Sequence, residues 1–434
     1  MILRPTLVLA SLAVLASASA AQEPALPGRL IARETVTGDS TQHVAAYLPS
    51  TFEATRPTPV LFVLDPRGRG LLALDLFAGA AERHGWVVVS SYNTASDMAV
   101  DPNVDAVNAM LAWTQAHARM DTTRLYLAGF SGTARIAWRL AAELHGRVAG
   151  IFGSGGAVAF SANGPEMAFG ADSTFAFFGS AGTTDFNYAE MRGLATRLRI
   201  ARVPSRMAWF PGGHSWPPRW LCEQGLDWLE LRAMLGGRRP PDTTFVATQL
   251  ARERRRADSL ERAGQWDAAE THYREIALDV PGRAEGRTAL AKADDLLGRE
   301  ALRSLRARFK ALAENDERDA RREFAALTKA RTSPSPLAPE ELLDRLGVES
   351  LQKRLSSADS LERDYAARRL SNVTAWLAFY EPRAFLAAAE VPRAVASLRA
   401  AALLSPLRGE SCELARLAAR QLPPDEAERL RSCR

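Results

Sequence analysis

The sequence predicts an α/β fold with a mostly parallel, doubly wound sheet, followed by an all-α, repeat-like domain. Three observations carry this. Short apolar runs such as 59–64 (Pro-Val-Leu-Phe-Val-Leu) alternate with helical periods as far as Leu235, and strands alternating with helices feed a parallel sheet covered on both faces. Strand patterns then stop at Gly236-Gly237-Arg238-Arg239-Pro240-Pro241-Asp242, and Ala-, Leu-, Arg- and Glu-rich helical periods run to the end. Finally, the apolar run 125–128 passes through Gly129-Phe130-Ser131-Gly132 straight into helical spacing at Ile136, Leu140 and Leu144. That is a strand turning sharply into a helix with a serine at the apex.

In order, strands are expected at 29–36 and 42–48 around the polar turn Thr37-Gly38-Asp39-Ser40, as an antiparallel hairpin. The run 59–64 is apolar throughout, as a strand buried on both faces must be. It ends in the loop Asp65-Pro66-Arg67-Gly68-Arg69-Gly70. A helix to about His84, a strand at 86–91, a helix at 104–119 and the strand 124–129 come next. Further strands are expected at 148–153, 174–179 and 206–210, with a closing helix at 218–235. In open α/β sheets functional groups gather at the carboxyl ends of the strands, so the loops there are the ones to search.

A chain of 434 residues that is 47% hydrophobic can bury two cores. Residues 1–21 read as a secretory signal: Arg4 supplies the positive end, 7–15 the apolar run, and Ala18-Ser19-Ala20 an A-x-A cleavage site. That run is too short to span a bilayer, and no later segment is apolar enough. No Cys follows the cleavage site to carry a lipid. The expected location is exported, periplasmic or secreted. The net charge of +5 comes from the signal's Arg4 and from residue 243 onward, with both signs interspersed and no basic stripe. Nucleic-acid binding is therefore not indicated. The cysteines are Cys222, Cys412 and Cys433; the last two flank a helical pattern and are spaced to allow a disulfide. No Cys/His cluster has metal-ligand spacing, and no metal or cofactor is expected.

The Gly129-Phe130-Ser131-Gly132 turn, in this element order, resembles the nucleophile elbow of the α/β-hydrolase superfamily, nearest to its dienelactone-hydrolase and carboxylesterase branch, over about residues 29–235. The motif departs from G-x-S-x-G at Thr133, whose Cβ should hold helix and strand slightly apart. The resemblance implies that Ser131 is the nucleophile and that His214, in Pro211-Gly212-Gly213-His214, is the base. It implies that Asp185, in Gly182-Thr183-Thr184-Asp185, orients the base. As plain sequence, Asp185 also fits the cap of a helix beginning near Asn187. Asp172 and Glu190 are the competing carboxylates. The amide of Gly132 would bind the oxyanion, with a second donor from Arg67 or Gly68, where Asp65-Pro66 replaces the family's His-Gly. Phe186, Tyr188, Trp209 and Trp216 fit either an acyl pocket or a core.

Beyond the linker, the segment from Gly264 to Tyr273, with Ala277 and Pro281, resembles a tetratricopeptide repeat. Ala394, Leu398, Ala402 and Pro406 repeat the offsets of Ala269, Tyr273, Ala277 and Pro281. The expected domains are a signal at 1–21, an α/β-hydrolase domain at 22–236, a linker at 237–244 and a helical domain at 245–434, with the first domain folding alone if the chain ends near Pro240. The expected activity is carboxylic ester hydrolysis of a small molecule, with protein recognition left to the helices. The alternatives are a serine peptidase or amidase, and a decayed hydrolase fold that binds a partner.

Overall fold

The computed structural model describes residues 27–96, 101–144, 146–157, 175–424 and 427. The signal segment, Asp172, His145 and Cys433 lie outside the described residues.

Eight strands form one sheet: β1 (Arg29–Val36), β2 (Asp39–Leu48), β3 (Thr58–Leu64), β4 (Val87–Ser91), β5 (Met120–Phe130), β6 (Val148–Ser154), β7 (Ala176–Gly182) and β8 (Ser205–Phe210). Their order is β1-β2-β4-β3-β5-β6-β7-β8. The β1–β2 and β2–β4 pairs are antiparallel, whereas β4 through β7 pair in parallel. With helices between the strands and a helical region after them, this is a sheet of the α/β-hydrolase type. The apolar runs explain its centre. Every residue of β3, β4, β6 and β7 is buried, because these strands are covered on both faces. Edge strand β1 is largely exposed.

Several expectations shift: β2 begins at Asp39, inside the expected turn, and β5 at Met120 rather than Arg124. The helix expected to run to His84 is two short ones, Gly70–Asp75 and Ala78–His84. Strand β7 continues to Gly182 rather than Gly179, its Ser180 pairing with Ser154 at the end of β6. Its last residues, Ser180-Ala181-Gly182, are small and carry no hydropathy signal.

The chain groups into two compact units that do not follow the composition boundary at 237–244. One contains the described residues up to Ala181, Glu190–Trp209 and Ser215–Leu297; the other contains Gly182–Ala189, Phe210–His214 and the chain from Gly298 onward. The physical reason lies at Arg206 of β8, only 2% exposed. A guanidinium that deep must be neutralised. Its partners come from the helices Thr243–Arg262 and Trp266–Asp279, beyond the linker. Glu253 lies 2.8 Å away and Asp279 2.5 Å, with Glu275 at 3.8 Å. Glu275 also accepts the Met207 amide, and Asp279 accepts the Trp228 indole N–H. His272 sits 2.8 Å from Glu253. The linker turns the chain, but the helices after it complete the first unit.

In the second unit, the helices Glu300–Thr332 and Ser360–Ala375 are joined by buried Arg369, which pairs with Glu323 and lies 3.1 Å from Asp316. Leu327, Leu346, Val373, Leu377, Leu398 and Ala415 share its core. The two repeat-like segments fall in different units. Ala269, Tyr273, Ala394 and Leu398 are buried, but Ala402 is exposed, so the third offset does not mark a packed position.

Replacing Arg206 with Met leaves Glu253 and Asp279 buried without their shared cation. Urea denaturation should record a loss of about 3–5 kcal/mol, the scale for breaking a buried ion pair from one side. A chain ending at Pro240 lacks all three carboxylates and should be insoluble or melt far below the full chain. A soluble, cooperatively melting product would contradict this account.

Candidate active site

Ser131 connects β5 to the helix Gly132–Glu143 with φ 55° and ψ −128°. A non-glycine residue at positive φ costs on the order of 1–3 kcal/mol and persists only where its surroundings impose it. Here they do. The Ser131 amide donates to Ser154 O at 2.8 Å, and its carbonyl accepts from Ala134 N at 3.0 Å. Gly156 packs so closely that a Cβ there would stand 2.2 Å from Ser131 O. Thr133, which the sequence presents as a departure from the motif, fastens this turn. Its Oγ1 lies 2.6 Å from Leu64 O at the end of β3 and accepts the Phe130 amide at 3.1 Å. The Gly132 amide is the first of its helix, and such amides have no intrahelical acceptor.

The loop after β3 behaves differently from expectation. The Arg67 amide donates to Asp65 Oδ1 at 2.9 Å, and the Gly68 amide to Asp65 O at 3.2 Å. Both amides expected as a second oxyanion donor are thus already committed. Asp65 itself, fully buried, is a centre that sequence reasoning missed. Its Oδ1 also accepts from the Arg69 amide and Nε. Its Oδ2 accepts from Arg69 Nη2 and Trp216 Nε1, both at 2.8 Å. Burial alone would raise the pKa of Asp65; the bonds from Arg69 and Trp216 outweigh it and hold the carboxyl below its ordinary value. Trp216 packs edge-on against Phe77 and tilted against Phe130. Its indole N–H is therefore structural, whereas the sequence offered it as a substrate contact. The only forward signal was that an Asp-Pro pair after a buried strand needs partners for its carboxylate.

Asp185 follows β7 and His214 follows β8. The two loops are laced together. Thr183 N donates to Phe210 O, and Thr184 donates through both N and Oγ1 to Gly212 O, at 2.8–2.9 Å. Gly182 permits this approach, since a Cβ there would lie 2.2 Å from Gly212 O. The lacing brings His214 Nδ1 to 2.9 Å from Asp185 Oδ1. The same oxygen accepts the Asn187 amide at 2.8 Å, just before the helix Tyr188–Ile200. The cap-like role and the histidine contact thus coexist on one atom. Phe186 lies tilted against the imidazole with centroids 4.1 Å apart. Tyr188 lies under the Arg368 guanidinium, and Trp209 under that of Arg192. Glu190 is tied to Arg135 at 2.8 and 2.9 Å and to the Ala157 amide.

The other described histidines have partners of their own. His84 meets Asp227, His117 meets the Trp113 carbonyl, His43 meets Thr35, and His272 meets Glu253. Among the described residues no group of His, Cys, Asp and Glu is arranged to hold a metal ion, and no helix is long and apolar enough to cross a membrane. Cys222 is a buried free thiol whose pKa burial pushes well up.

No family model matches this sequence, and no curated protein matches it. Among solved structures it is similar to the fluorophosphonate-binding serine hydrolase FphF of Staphylococcus aureus, at 14% identity and a TM-score of 0.38, covering 47% of this chain and 98% of that one. A puromycin-hydrolyzing peptidase of Mycobacterium tuberculosis gives 18% identity and 0.33, covering 48% of this chain and 39% of that one. The dipeptidyl peptidase 4 of Porphyromonas gingivalis gives 16% and 0.35, covering 46% and 36%.

Asp65 gives the fold a pH signature. A carboxyl held below its unfolded value contributes stability that is present above about pH 4 and lost as pH falls through the folded value. Asp65→Asn should be less stable than wild type at pH 7, with the gap narrowing below about pH 4. Urea midpoints across that range measure it, and a gap independent of pH would refute the assignment.

Proposed function

We propose that this chain is an exported serine hydrolase that cleaves carboxylic esters through Ser131, His214 and Asp185. The observation that carries the reading is the 2.9 Å contact between Asp185 Oδ1 and His214 Nδ1. With Nδ1 engaged by a carboxylate, Nε2 is the nitrogen that would serve a hydroxyl. In this reading Ser131 Oγ attacks the acyl carbonyl as His214 takes its proton. Asp185 stabilises the imidazolium, and the Gly132 amide receives the developing oxyanion. The tetrahedral intermediate expels an alkoxide, which leaves with the proton from His214. Water then repeats the sequence on the acyl-enzyme. Phe186, against the imidazole ring, would line the acyl side in this reading. Export rests on the N-terminal signal pattern alone.

The rival is a decayed hydrolase fold kept as a binding scaffold. It drew on Thr133 and on the Asp65-Pro66 loop. Each departure has a structural job, Thr133 in fastening the turn and Asp65 in anchoring Trp216, so neither speaks for decay.

Ser131→Ala should lower turnover of p-nitrophenyl esters by about 10³-fold or more and abolish fluorophosphonate labelling with the fold intact. Near wild-type turnover would overturn the proposal. A panel of esters of graded chain length, with an amide beside each, separates esterase from amidase.

Asp185→Asn should cost about 10²–10⁴ in turnover with little change in melting, the scale for a base that loses its orienter. Glu190→Gln should do the reverse, sparing turnover but weakening the Arg135 tie. The opposite pattern would reassign the acid.

A further inference from the structure

We infer that Arg368, on the helix Ser360–Ala375, is a positioning residue that holds the Asp185 loop in register for the acid–base pair. The inference rests on the serine hydrolase reading and deepens it. Nothing in the local sequence of Arg368 marks it out, and it lies 185 positions from its partner in the chain.

The contacts are specific. Arg368 Nη1 donates to Thr183 O at 3.0 Å. Its guanidinium carbon also stands 4.7 Å above the centroid of the Tyr188 ring. Thr183 and Tyr188 bracket Asp185, two residues before it and three after. One planar group therefore grips both ends of the loop that carries the acid. The other side of that loop is laced to the His214 loop through Thr183 N and Thr184. A guanidinium can donate in its plane and lie over a ring with its face at once; an ammonium, a point charge with rotatable donors, has no flat face to do both.

The mount is rigid. The next residue, Arg369, is buried against Glu323 and Asp316 of the helix Glu300–Thr332. Tyr365, fully buried one turn earlier, donates to Asp319 of that same helix. Turning the Ser360–Ala375 helix to release Arg368 would break a buried ion pair, which is strongly unfavourable. The loops bearing Asp185 and His214 group with the helical unit rather than with the sheet, in keeping with this tie. The helical region thus has a part in the chemistry: it supplies the side chain that fixes where the acid sits.

The test compares Arg368→Ala, Arg368→Lys, Arg363→Ala and Ser131→Ala in the full chain, using p-nitrophenyl acetate turnover and fluorophosphonate labelling rate. Arg363 is the control: it sits on the same helix but bonds the Ser357 and Ala358 carbonyls. Arg368→Ala should lower kcat and the labelling rate by about 10- to 100-fold, the scale of a small misplacement of a catalytic group, with KM and melting close to wild type. Arg368→Lys, which keeps the donor and loses the stack, should fall between Ala and wild type. Arg363→Ala should match wild type. If Arg368→Ala keeps wild-type kcat while Ser131→Ala is dead, the inference fails and the hydrolase reading stands. If Ser131→Ala is as active as wild type, the hydrolase reading fails and takes the inference with it. Should Arg368→Ala not fold, Arg368→Lys decides: a lowered kcat with normal melting supports the role, and an unchanged kcat refutes it.

Discussion

The first unit is built around the left-handed backbone of Ser131. That conformation is unfavourable on its own, so every neighbour that enforces it becomes a structural requirement. The Ser131 amide needs Ser154, which sets where β6 ends beside β5. Thr133 needs Leu64, which ties the end of β3 to the same turn. Gly156 must lack a side chain. Three consecutive strands of the sheet therefore end together at one serine. The strain is worth on the order of 1–3 kcal/mol, small against a sheet whose central strands are wholly buried.

Two buried charges carry the next level of organisation. Asp65 gathers two backbone amides, the Arg69 guanidinium and the Trp216 indole, joining the loop after β3 to the segment that follows His214. Arg206 gathers Glu253, Glu275 and Asp279, joining β8 to helices that lie beyond the linker. Neither charge could be buried without those partners. Each therefore acts as a device of specificity, because only one arrangement of the chain satisfies it. The buried Arg369 pair repeats the logic in the second unit and serves as the footing for Arg368.

The order of strands and helices was legible because hydrophobic periodicity is a local property. Strands β3 and β4 announce themselves as apolar runs, and the elbow as a serine between glycines. The end of β7 was not legible, since Ser180, Ala181 and Gly182 give a pairing strand no apolar signature. The unit boundary was not legible either. The Gly-Gly-Arg-Arg-Pro-Pro stretch reports a turn in the chain, but nothing in it reports which unit the following helices join.

What the sequence determined by itself is therefore the α/β alternation, the strand-to-helix turn at Ser131, and the succession of Asp185 and His214 in loops after successive strands. What only the tertiary structure decided is which polar groups meet. Asp185 and His214 stand 29 positions apart, Asp65 and Trp216 151, and Arg368 and Thr183 185. Apolar patterning is written within one turn or one strand, whereas a buried polar contact depends on the simultaneous placement of distant segments. Its cost when unmet is what makes that placement unique.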